Sequence, residues 1–131
     1  SQPVPEWTEE TERQFVLAED AGADVAVRYL DGGFTVVLDH CRRPENIDAW
    51  AARSFGGRHV HKVALLPHLS TCLKRNRSRS DKSFDPDVLE PVIRTVRDAY
   101  DQAHLRDWLV HPNLGTVEST ALELFQALCD A

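Results

Sequence analysis

Three short apolar runs set between long helical patterns constrain this chain more than any other feature. Residues 34–38 read Phe34, Thr35, Val36, Val37, Leu38, and residues 60–66 and 108–110 are built in the same way. Apolar, β-branched runs of this kind read as strands covered on both faces, the usual condition of parallel sheets. Helical signals surround them. Thr8 is a good N-cap, and Glu9, Glu10 and Glu12 follow in the first turn, where the helix dipole favours acids. Phe15, Ala18, Gly22, Val25, Ala26 and Tyr29 then fall at helical spacing until Gly32 and Gly33 stop the pattern near residue 31. Pro44 opens a second helix with Ile47, Trp50 and Ala51 on its apolar side. Another starts near His68, with Leu69, Cys72 and Leu73 inward. Asp85 and Pro86 introduce a helix striped by Val88, Val92, Val96, Ala99 and Tyr100. The last helix follows Gly115 and Thr116, with Val117, Ala121, Leu124, Phe125 and Leu128 on one face. The order α-β-α-β-α-α-β-α predicts an α/β fold: a three-layer parallel sheet with flanking helices, in a single domain over 1–131.

Charge and cysteine usage narrow the functional classes. Twenty-one acids against 15 Lys and Arg give a net charge of -6. A mean field of that sign repels phosphate, which disfavours general nucleic-acid or anionic-membrane binding. Cys41, Cys72 and Cys129 are odd in number and scattered, so they make no disulfide framework and suggest a reducing, cytoplasmic setting. No apolar run approaches the ~20 residues of a membrane span. The chain has no methionine, which is expected of a processed, cut or engineered fragment.

In parallel α/β sheets, ligands bind at the carboxyl ends of strands. Asp39 closes the first predicted strand and leads into His40, Cys41, Arg42 and Arg43. The second strand leads through Pro67 and a helix to Arg75, Arg77, Arg79 and Lys82, four cations within eight residues. Arginine forks match phosphate oxygens, so this stretch is a candidate anion site, and a solvated helix end is its plain alternative. Arg75 and Arg79, four apart, are expected on one helical face. A zinc site from His40, Cys41, His68 and Cys72 has suitable ligand types but no familiar spacing. Trp7, Trp50 and Trp108 are spread out and are expected in or near the core.

These segments together resemble the P-loop kinase superfamily of small-molecule phosphotransferases, such as chloramphenicol phosphotransferase, the zeta-toxin kinases and related ATP-binding kinase-like proteins. The resemblance lies in the strand ending at Asp39, in residues 65–76 as a strand leading to a lid helix, in Arg75, Arg77, Arg79 and Lys82 as the lid, and in residues 115–120 as the last strand-to-helix turn. It implies phosphoryl transfer from ATP to a small-molecule acceptor, with Mg²⁺ held by Asp39 through water. Asp39, Arg75 and Arg79 would be catalytic. Arg42, Arg43, Arg77 and Lys82 would hold substrate or phosphate, and Thr116 would lie near the nucleotide.

The departure from that family is large. Its phosphate loop, Gly-x-x-x-x-Gly-Lys-Ser/Thr after a first strand, is absent, since neither Gly32-Gly33 nor Gly56-Gly57 is followed by Lys-Ser or Lys-Thr. The expected fold is therefore P-loop kinase-like without the first strand and P-loop, and the chain alone is expected not to turn over ATP. Either the strands at Val36 and Val63 pair directly in a smaller sheet, or a missing amino-terminal segment, a partner chain or a second copy completes it, and a fragment of a longer kinase-like protein is the favoured expectation. A degenerate kinase-like binding or interaction domain is the non-enzymatic alternative.

Overall fold

The computed structural model describes residues 6–81 and 85–131. These residues form two compact units, divided between Val60 and His61.

The first unit is helical. Helix α1 spans Glu9–Asp31, and Thr8 caps it by accepting a hydrogen bond from the Thr11 N–H at 3.1 Å. Its end is fixed by Gly33, whose φ of 87° is in the left-handed region that side chains avoid. Gly33 N–H donates to the Leu30 carbonyl and Phe34 N–H to that of Tyr29, both at 3.0 Å. The Phe34 ring then meets the Tyr29 ring edge-on, 5.9 Å between centroids. This is a Schellman closure with its usual apolar contact. Helix α2, Pro44–Phe55, begins with its proline at the first position, where a missing N–H costs nothing. The core between them is small: Ala23, Ala26, Trp50 and Phe55, flanked by Val27 and Val36.

The second unit contains strands β1, Lys62–Leu65, and β2, Trp108–His111. They pair in parallel, Lys62 opposite Trp108 and Leu65 opposite His111. Helix α3, Leu69–Ser78, a 3-10 turn at Pro86–Val88 and helix α4, Glu90–Gln102, connect them. Parallel strands need such a crossover, because no hairpin can join them. Helix α5, Val117–Cys129, follows β2. Arg97 reaches back to donate to the Pro67 carbonyl at 2.9 Å, and Tyr100 meets Trp108 edge-on at 5.8 Å. No described helix is long and apolar enough to cross a membrane.

This architecture corrects the sequence expectation. The described residues are mostly helical with a two-stranded parallel sheet, not a three-layer parallel sheet. Residues 34–38 form no strand, because a strand exists only through a ladder partner and this segment has none among the described residues. Its side chains show the consequence: Phe34 is 64% and Val37 89% exposed, and only Val36 enters the core. The α1 stripe is also rotated from the one expected. Glu19, Ala23 and Ala26 are buried, while Val25 and Tyr29 are exposed. On α5, Val117 and Phe125 point to solvent, and Trp7 is likewise exposed.

Candidate functional site

Because β1 and β2 are parallel, both leave the sheet at one edge, and each leads toward a helix N-terminus. After β2 the chain turns at Asn113, whose φ of 51° is tolerated by asparagine better than by most residues. The Asn113 N–H donates to His111 Nδ1 at 2.9 Å. An N–H can only donate, so Nδ1 is bare and the ring proton sits on Nε2, 2.6 Å from the Glu123 carboxylate. Gly115 is packed tightly, since a Cβ there would lie 2.3 Å from Ser119 Oγ. Thr116 then caps α5, accepting from the Ser119 N–H at 3.1 Å.

Arg75 comes to this turn from α3, and its guanidinium donates to the Asn113 carbonyl at 2.9 Å. Arg75 and the Thr116 turn, both expected at a phosphate or nucleotide site, are thus brought together. The neighbouring cations are placed differently. Arg77 pairs with Glu90 at 2.8 Å and Asp87 at 3.3 Å. Arg79 is the C-cap of α3, with extended backbone, and approaches Asp81 at 3.7 Å. The helix ends before Arg79, so the shared face expected with Arg75 does not form. Lys82 lies outside the described residues.

Asp39, Arg42 and Arg43 belong to the first unit. Arg43 is exposed and approaches only Glu45, at 4.0 Å. Arg42 is 6% exposed and is turned to its own chain. Its Nε donates to Glu19 at 3.0 Å, and its two terminal nitrogens donate to the Glu12 carboxylate at 2.9 and 2.7 Å. The guanidinium also lies over the rings of Trp7 and Phe15, 5.6 and 5.3 Å from their centroids. The paired hydrogen bonds from Arg42 hold the Glu12 carboxyl down to about 2.

Glu19 is the hub of this cluster, with its side chain 2% exposed. Besides Arg42 it receives His40 Nε2 at 2.8 Å and Arg53 at 3.3 Å. Arg53 also donates to Asp20 at 3.1 Å, and the Trp50 indole N–H donates to the Glu19 carbonyl at 3.1 Å. Beside the hub is a cavity of about 160 Å³ lined by Ala18, Gly22, Leu38, Asp39, His40 and Trp50 together with Glu19. Asp39 is exposed and enters no hydrogen bond or ion pair among the described residues. Desolvation of the Cys41 thiol, and after it the nearby Asp39 charge, push that thiol up.

Sequence reasoning missed Glu19, Trp50 and Arg53 as one cluster, and His111 as the ring that fixes the Asn113 turn. The available signal was an acid at position 19 in register with Ala23 and Ala26, four and seven residues on. A carboxylate on a buried stripe must have partners.

The residues present do not fit a whole magnesium–nucleotide complex. Asp39 is one carboxylate, and no three His, Cys, Asp or Glu side chains among the described residues converge as a metal-ligand set. Among the described residues, the anion edge offers Arg75 and the capped N-terminus of α5, without a phosphate loop. A comparison with family models, with curated proteins and with solved structures finds no match for the chain.

Proposed function

We propose that this chain is part of a small-molecule phosphotransferase of the P-loop kinase type and does not turn over ATP by itself. The observation that carries the reading is the bond from Arg75 to the Asn113 carbonyl at the carboxyl edge of β1 and β2. It anchors a guanidinium beside the capped N-terminus of α5, and both favour an anion. Asp39, in the first unit, is exposed and enters no hydrogen bond or ion pair among the described residues, which leaves its carboxylate able to accept a proton. The exposed apolar residues 34, 37 and 38 support the idea that further polypeptide completes this domain. The degenerate, non-catalytic reading has its own support. Arg77 and Arg79 are engaged by Asp87, Glu90 and Asp81, which leaves less positive charge for a transferring phosphoryl group.

Titration of pyrophosphate into the isotopically labelled chain tests the reading. The amides of Asn113, Gly115, Thr116 and Ser119 should shift saturably, and Arg75→Ala should weaken binding by about tenfold, the value of one charged hydrogen bond. No saturable shift, or equal binding by Arg75→Ala, would refute a phosphate role for this edge.

A further inference from the structure

We infer that the cavity beside Glu19 binds a small cation, an ammonium group on a short, partly apolar stem, with Asp39 as its counter-ion. Three independent observations lead there.

The first is charge. The unit before residue 61 has 11 acids and six Arg, a net of -5, while the rest of the chain accounts for -1 of the total. Around the cavity, Glu12, Glu19 and Asp20 offset Arg42 and Arg53 with one negative charge left over. Asp39 adds another that no side chain among the described residues neutralises. Such a site repels anions and attracts a cation.

The second is size and lining. The pocket is half-open to solvent, and its volume of about 160 Å³ has room for one small molecule. Ala18, Leu38 and Trp50 supply apolar wall and Asp39 supplies an acceptor, so the ligand needs both an apolar stem and a donor.

The third is Gly22. It lies in the middle of α1, where glycine is a poor helix former. A Cβ built on it would meet no atom within 4 Å. No contact among the described residues excludes alanine there, and Gly22 is itself part of the cavity lining.

The inference goes beyond the phosphotransfer reading and holds equally for a binding domain.

The probes are 4-amino-1-butanol and its neutral isostere 1,4-butanediol, titrated into the labelled chain while the Trp50 indole N–H and Gly22 amide are followed. The amine should shift both saturably and bind at least about tenfold tighter than the diol. Asp39→Asn should bring the amine down to the level of the diol. Asp24→Asn, on another side of α1, should change nothing. Gly22→Ala should melt at a higher temperature yet bind the amine about tenfold more weakly, which separates a filled site from an unfolded one. Arg75→Ala should leave the amine unaffected, so failure here is distinguishable from failure of the phosphate edge. Equal affinity for amine and diol, no saturable shift, or an Asp39→Asn chain that binds as wild type would overturn the proposal.

Discussion

Replacing Arg42 by Met removes the charge but keeps much of the stem that covers Trp7 and Phe15. Three hydrogen bonds to Glu12 and Glu19 disappear with it. Glu19, 2% exposed, is then left with Arg53 at 3.3 Å and His40 at 2.8 Å. Breaking a buried pair by removing one partner costs about 3–5 kcal/mol. The remaining partners of Glu19 place this case at the lower end, about 3 kcal/mol. For a domain of this size, each kcal/mol moves the melting temperature by roughly 4–8 °C, so the expected loss is roughly 12–24 °C. Thermal unfolding followed by circular dichroism measures that shift, and urea titration followed by tryptophan fluorescence measures the free-energy loss. The double variant Arg42→Met with Glu19→Leu is the sharper test, because it removes both charges together. It should be more stable than the sum of the two single losses predicts. A loss below about 1 kcal/mol in the single variant, or strict additivity in the cycle, would refute the view that Glu19 organises this unit.

The Glu12 carboxyl, held down to about 2 by Arg42, makes a stability contribution that is complete above its ordinary value of 4.5 and is lost as pH falls toward 2. The stability gap between wild type and Arg42→Met should therefore narrow as pH falls from 4.5 toward 2, which urea titrations at a series of pH values detect. Gly33→Ala forces a side chain into the left-handed region and should cost about 1–2 kcal/mol in denaturant unfolding. Val37→Thr distinguishes the observed chain from the sheet expected of it. At 89% exposure the change should stay within about 0.5 kcal/mol, whereas a strand buried on both faces would lose well over that.

Local signals read well where one element decides them alone. Thr8, the early acids and the glycine pair bounded α1, and Pro44 and Thr116 marked two further helix starts, because capping and proline chemistry act within a turn. The runs at β1 and β2 were also legible, and each has a partner. Residues 34–38 have the same composition but no ladder, and composition carries no information about a partner. The Glu19 cluster was hidden for a related reason. Its members, Glu12, Glu19, His40, Arg42 and Arg53, come from two helices and the segment between them. Arg42 looked like a solvated or ligand-facing cation until α1 supplied two carboxylates. Asp39, by contrast, was singled out from its place after an apolar run, and it is exposed beside the cavity.

The extended residues 34–38 have a further consequence, for how copies of this chain behave toward one another. Five residues of high β-propensity, with no charge and no proline, match the kind of segment that stacks into steric zippers. Asp39, next to the run and unpaired among the described residues, would act as its gatekeeper, since stacked copies would bring these carboxylates close together. A variant neutralised at Asp39 thus loses a guard against fibril growth as well as a counter-ion. The lag time of its aggregation, more than its melting temperature, reports what that one carboxylate contributes.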